Sequence, residues 1–321
     1  MARIPPVSTD LFLQPPPLHL LRQEGIRPDT IVALTGDAST RSFYRVFPPR
    51  GASLVAMIYP PRAEVQVTHH ARVFLWAARH CLPVPRLRAW SRRVLLVEDL
   101  GSTSVALYLA ANQVEAEEAV LATLLSFQRV TASPPNPPFD AALLARELRQ
   151  FLDHSSLPGL AREEAEAFCD GLAIAIASHP FRLCHRDFHL DNLLVVNQKV
   201  MAVDFQDLRQ GPDTYDLVSL LRERWGSTLF SREFPNRAAR RLALATNWEA
   251  RFWECAAQRG LKALGTFLKL AQTGRRRYLR LVPEVASNTL QALETLGAPQ
   301  ALRDCVANLA SISGTEAEPG G

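Results

Sequence analysis

Two oxygen-bearing side chains, Asn192 and Asp204, stand twelve positions apart at the ends of a short apolar stretch. Leu193, Leu194, Val195 and Val196 form a strand-like run, Asn197 and Gln198 supply a turn, and residues 200–203 run back. The segment therefore predicts a hairpin that brings Asn192 and Asp204 to adjacent ends. Immediately before it the chain reads His185-Arg186-Asp187-Phe188-His189-Leu190-Asp191-Asn192, which adds a third oxygen donor at Asp187. Any fold of this chain has to seat a polar loop, an apolar hairpin and a second polar loop together.

The order of residues, H-R-D-x-x-x-x-N and then D-F at Asp204-Phe205, is the pattern with which protein-kinase-like folds carry out phosphoryl transfer. That chemistry needs little covalent help from protein; it needs an oriented acceptor hydroxyl and charge to balance the phosphate oxygens. Asp187 is the candidate catalytic base that orients the hydroxyl and takes its proton. Asn192 and Asp204 are the candidate metal ligands, hard oxygens of the kind Mg²⁺ accepts in small number beside waters and phosphates. A zinc site would want several converging Cys or His, and no C-x-x-C occurs in the sequence.

At 321 residues the chain is long enough for two domains or one bilobal unit. Its net charge of +4 comes almost wholly from arginine, since lysine occurs only at 199, 262 and 269. The arginines are scattered, which speaks against a nucleic-acid partner. Five cysteines without paired spacing argue for a reducing compartment. No apolar stretch reaches the length of a membrane span and the amino terminus lacks a signal-peptide core, so a cytoplasmic location is expected, with the oligomeric state not legible.

Along the chain, residues 18–22 read as a lead-in helix. Residues 31–34, 42–47 and 54–57 read as strands, 63–80 as a helix ended by Pro83 and Pro85, and 93–97 as another strand. Glu98-Asp99-Leu100-Gly101 marks a crossing, after which helical periodicity dominates apart from the hairpin. The expected fold class is α+β and bilobal: a small antiparallel-sheet lobe over residues 1–100, a mainly helical catalytic and acceptor-binding lobe over 101–313, and a disordered tail over 314–321. Trp248, Phe252 and Trp253 recur at helical spacing and are expected in the core.

Gly36, Asp37, Ala38, Ser39 and Thr40 lie between two strands, placed to turn backbone N–H groups and two hydroxyls toward nucleotide phosphates. Kinases of this kind carry a lysine on the third strand, yet the amino-terminal lobe has none. Either an arginine replaces it, with Arg41 and Arg45 the nearest candidates, or the chain binds nucleotide poorly and is a pseudokinase. Glu98 and Leu100 in the crossing segment complete the expected nucleotide contacts. His185, Arg186, Asp207 and Asp216 are expected to support the catalytic loop, Asp216 by holding its backbone from beneath. Asp216 follows Asp204 by only twelve positions, too few for a peptide platform, so a small molecule is the expected acceptor.

Taken together, His185-Arg186-Asp187-Phe188-His189, Asn192-Leu193, Asp204-Phe205-Gln206-Asp207, Gly211-Pro212 and residues 215–222 resemble the aminoglycoside phosphotransferase and choline kinase superfamily. Gly36-Asp37-Ala38-Ser39, residues 98–101, Phe139-Asp140 with Glu147-Leu148, and residues 261–265 are similar to its anomeric branch, the kinases of N-acetylmuramate and N-acetylglucosamine. The resemblance implies an ATP- and Mg²⁺-dependent kinase acting on the C1 hydroxyl of an amino sugar, in recycling of cell-wall sugars. Glu223, Asp191 and residues 152–154 depart from that branch. An aminoglycoside- or choline-type acceptor is the alternative, for which Asp191, Glu223 and Trp225 would supply an acidic or aromatic wall.

Overall fold

The computed structural model describes residues 21, 30–34, 41–223 and 226–311. Most of the lead-in segment, the turn at residues 36–40, Trp225 and the tail at 314–321 lie outside the described residues. The chain divides into two compact units, residues 1–79 with 85–100, and residues 80–84 with 101–321.

The first unit is built on five antiparallel strands: β1 (Thr30–Leu34), β2 (Ser42–Phe47), β3 (Leu54–Ile58), β4 (Leu87–Trp90) and β5 (Val94–Glu98), in the order β1-β2-β3-β5-β4. Alternation along the strands decides what is inside. Tyr44 and Val46 of β2 meet Ala56 and Ile58 of β3 and Val94 and Leu96 of β5, with Leu21 buried among them. Helix α1 (Glu64–Arg79) buries Val67, Ala71 and Phe74 at helical spacing and lies against β4 and β5. The three strands before the helix, the helix and β5 match the sequence reading to within one residue. Strand β4 escaped it: three of its four residues are exposed and its pairing with β5 breaks register between Leu87 and Ala89.

The second unit is mainly helical, as expected of the α+β class. Its elements are α2 (Val105–Ala111), α3 (Gln113–Gln128), α4 (Ala141–His154), α5 (Gly159–Ala177), β6 (Phe181–Cys184), β7 (Leu193–Val196), β8 (Lys199–Ala202), β9 (Arg209–Pro212), α6 (Tyr215–Arg222), α7 (Gly226–Leu229), α8 (Phe234–Arg241), α9 (Trp248–Gln272), α10 (Val282–Thr295) and α11 (Gln300–Ala310). Strands β7 and β8 form the hairpin, Leu193 facing Ala202 and Val196 facing Lys199. Asn197 and Gln198 between them both take positive φ, 49° and 63°, as a two-residue turn that follows strand twist requires. Strands β6 and β9 pair separately. Helix α3 packs on β6 and β8, and the Thr123 hydroxyl donates to the Val200 carbonyl at 2.8 Å.

Helix α9 is the spine of this unit, touching α4, α6 and α10. Two glycines let it come close. A Cβ at Gly265 would lie 2.6 Å from the Phe151 backbone nitrogen in α4, and one at Gly260 would lie 2.1 Å from Thr289 Oγ1 in α10. Arg259 and Lys262 sit beside these contacts, so their direction is set by backbone packing.

Candidate functional site

The hairpin ends are joined by backbone: the Val203 N–H donates to the Asn192 carbonyl at 2.9 Å. Asn192 ends a 3₁₀ turn (Leu190–Asn192), and its Nδ2 donates to the Asp187 carbonyl at 2.9 Å. That bond fixes the amide so that Oδ1 is the end left for a cation. Asp204, across the hairpin, is exposed and adopts φ 59°, a left-handed backbone that an L side chain enters at a cost of about 1–2 kcal/mol.

Asp187 is 44% exposed at its side chain, and its loop is fastened from below. The Asp216 carboxylate, fully buried at the start of α6, accepts the His185 N–H at 2.6 Å and the Arg186 N–H at 2.9 Å. Thr214 is the N-cap residue of α6, and it makes no side-chain capping bond. Arg186 carries φ 80°, so the two bonds from Asp216 hold a strained turn next to Asp187. Burial pushes the Asp216 carboxyl up to about 6 against the pull of those N–H groups.

His185 has both ring nitrogens assigned by their partners. Nε2–H donates to the Val203 carbonyl at 3.0 Å and Nδ1 accepts the Asp187 N–H at 3.3 Å. The ring packs edge-on between Phe127 and Phe188, with centroids at 5.6 and 5.8 Å. Burial lowers its pKa to about 4, so it is a neutral imidazole linking the two halves of the site.

The Arg186 guanidinium is bonded to Asp207, to Glu147 at 2.6 Å, and lies over the Phe139 ring at 5.2 Å. Asp207 also accepts from Arg209 at 2.9 Å. The segment after Asp204 is held a second way. Asn136, buried in the proline-rich run at residues 134–138, donates to the carbonyls of Gln206 at 3.0 Å and Leu208 at 2.7 Å.

Four residues of this arrangement escaped the sequence reading as site residues: Asn136, Glu147, Arg259 and Lys262. Arg259 donates to the Arg186 carbonyl, to Ser219 Oγ at 3.1 Å and to Glu223, and its Nη2 lies 3.7 Å from Asp187 Oδ1. Lys262, one turn on, reaches Glu147 Oε1 at 3.4 Å. Burial works against the charge on Asp187, but Lys262 and Arg259 outweigh it and hold the carboxyl at about 2. The usable signal was spacing: Arg259 and Lys262 are i and i+3 on one helix, and Lys262 is one of three lysines.

The candidate nucleotide contacts of the first unit are only partly described. Gly36, Asp37, Ala38, Ser39 and Thr40 lie outside the described residues. Arg45 is clamped by Asp99, with Nε to Oδ2 at 2.6 Å and Nη2 to Oδ1 at 3.0 Å, and Arg41 lies over the Phe43 ring at 5.5 Å. The Glu98 carboxylate accepts the Arg86 N–H at 3.2 Å and faces Arg88 at 3.6 Å, while Leu100 ends the unit.

Among the described residues no group of three or more His, Cys, Asp and Glu is placed to hold a metal ion, and no helix is long and apolar enough to cross a membrane. Asn192 and Asp204 offer two oxygens, a set that suits a hard ion bringing its own waters and phosphate oxygens. Trp248, Phe252 and Trp253 are not all core. Phe252 is buried, but the three together line a hollow of about 400 Å³ with Phe230 and Arg222, which Asp187, Asn192 and Asp204 do not reach.

Several known proteins resemble this chain along most of its length. The chain is similar to the N-acetylmuramate/N-acetylglucosamine kinase of Pseudomonas aeruginosa, 28% identical over 286 residues that cover 80% of this chain and 82% of the relative. It is likewise 28% identical to the Pseudomonas putida protein of the same name, over 79% of this chain and 80% of that one. A choline/ethanolamine kinase family protein from Mesorhizobium loti shares its fold with a TM-score of 0.62 at 16% identity, over 88% of this chain and 92% of that one. The macrolide 2'-phosphotransferase MphH from Brachybacterium faecium does so with a TM-score of 0.58 at 16% identity, over 88% and 98%. The profile of the phosphotransferase enzyme family matches residues 30–253, more than half of the chain. The chain thus belongs to the phosphotransferase enzyme family and is a kinase whose acceptor is a hydroxyl group.

Proposed function

We propose that the protein transfers the γ-phosphoryl group of ATP, with Mg²⁺, to the anomeric C1 hydroxyl of N-acetylmuramate or N-acetylglucosamine, a step suited to recycling of cell-wall sugars. One observation carries the chemistry: Asp187, Asn192 and Asp204 are drawn together by a single hairpin and by the bond from Asn192 Nδ2 to the Asp187 carbonyl. The acceptor rests on the relatives named for those two sugars.

In this reading the acceptor oxygen attacks the γ-phosphorus, the bond from that phosphorus to the bridging oxygen of ADP breaks, and the hydroxyl proton passes to Asp187. With its pKa held at about 2, Asp187 is ionised throughout the working range and acts first as the anion that orients the hydroxyl. Proton transfer then comes late, once the oxygen is bonded to phosphorus. Asn192 and Asp204 would hold Mg²⁺, which balances phosphate charge. Asp216 and His185 keep the loop in its strained turn, and Arg259 holds the Arg186 carbonyl.

Glu223, which could have formed an acidic wall for a cationic acceptor, is neutralised by Arg259 and accepts from Ser219 at 3.3 Å. That pairing favours an uncharged or acidic sugar over an aminoglycoside or choline. The test is ADP release measured across amino sugars, aminoglycosides and amino alcohols, with Asp187→Asn as control. Turnover on the two N-acetyl sugars, reduced about 10²–10⁴-fold in the variant, is expected. Activity confined to amino alcohols, or an unimpaired variant, would overturn it.

A further inference from the structure

The first unit has no lysine to meet phosphate, and its arginine Arg45 is clamped by Asp99. Around Asp187 the second unit gathers three cations, and two of them are pinned by several partners each, although the buried Arg186 Nε has none among the described residues. Arg186 is bonded to Asp207 and Glu147 and stacked on Phe139; Arg259 is bonded to Glu223, Ser219 and the Arg186 carbonyl and stacked on Tyr215 at 4.5 Å.

Lys262 is different. Its side chain is 27% exposed, and among the described residues it pairs with Glu147 Oε1 at 3.4 Å, an oxygen it shares with Arg186. An ammonium has three donors, so this long contact leaves capacity, and Lys262 is near enough to Asp187 to favour its ionised form. Gly260 and Gly265 bring α9 against its neighbours on either side of Lys262, which fixes where the flexible stem starts. The other two lysines differ: Lys199 is an exposed residue at the hairpin turn, and Lys269 lies near the end of α9.

We infer that Lys262 supplies the cation for an anionic oxygen at the reacting centre, belonging either to the transferred phosphoryl group or to an acidic acceptor. A compact point charge on a flexible stem suits either source, because both present oxygen beside the Asp187 carboxylate. The inference rests on the kinase reading given above, and the two sources predict different kinetics.

The experiment compares wild type, Lys262→Met and Lys262→Arg on N-acetylmuramate, which carries a carboxylate, and on N-acetylglucosamine, which does not. If Lys262 meets the phosphoryl group, Lys262→Met lowers kcat at least about tenfold on both sugars, with little change in KM, and Lys262→Arg recovers part of it. If it meets the acceptor carboxylate, KM for N-acetylmuramate rises at least about tenfold while N-acetylglucosamine is unaffected. Unchanged kinetics on both sugars would overturn the inference. Should Lys262→Met fail to fold, Lys262→Gln serves in its place, and wild-type kinetics there would overturn it equally. A wild-type protein that turns over neither sugar refutes the acceptor assignment instead. The comparison then moves to slow transfer from ATP to water, where a loss of at least about tenfold in Lys262→Met upholds the phosphoryl assignment and equal rates overturn that assignment.

Discussion

His185 ties the stability of this protein to pH through one ring. In the native state its Nε2–H is donated to the Val203 carbonyl and its Nδ1 is occupied by the Asp187 N–H. A second proton would set Nδ1–H against that N–H, inside a pocket walled by Phe127 and Phe188. Burial therefore holds the native pKa at about 4, against 6.5 for a free imidazole. The unfolded chain takes up this proton near pH 6.5 and the folded chain only near pH 4. The contribution is complete above pH 6.5 and is lost as pH falls toward 4, a change of roughly 3 kcal/mol. Urea unfolding of wild type and His185→Gln at pH values from 7 to 4 measures it. The wild type should lose roughly 3 kcal/mol more than the variant across that range. Subtracting the variant removes groups that titrate in both proteins, including Asp216, whose raised carboxyl works in the opposite sense. Stability curves that stay parallel at every pH would refute the reasoning.

Other substitutions probe other joints of the site. Arg259→Met strands Glu223 and the Arg186 carbonyl and should destabilise the fold by about 3–5 kcal/mol, read by urea unfolding. Gly265→Ala forces a methyl group onto the Phe151 backbone and should lower stability by about 1–3 kcal/mol, with turnover falling as α9 shifts. Asp204→Asn should raise the Mg²⁺ concentration needed for half-maximal turnover by at least about tenfold, measured by titration at saturating ATP.

What could be seen in the sequence was whatever is local. The hairpin is written in four apolar residues, a turn and four more, and the strands of the first unit alternate with period two. Strand β9, Arg-Gln-Gly-Pro, has no such pattern, because its place is set by pairing with β6. Arg259 and Glu147 were hidden for a related reason. A buried charge reads the same as an exposed one until its partner is brought beside it, Glu223 from 36 residues away for Arg259 and Arg186 from 39 away for Glu147. Asn136 lay in a run of prolines that reads as a linker, and its use is visible only when the carbonyls of Gln206 and Leu208 arrive from 70 and 72 positions downstream.

The asparagine within that proline run has a wider consequence. Many kinases are governed by a movable stretch just after the metal-binding aspartate, released or locked by covalent modification. Here that stretch is stitched down at its carbonyls by Asn136 and at Asp207 by two arginines. Freeing that stretch would require breaking the bonds at its carbonyls and at its carboxylate together.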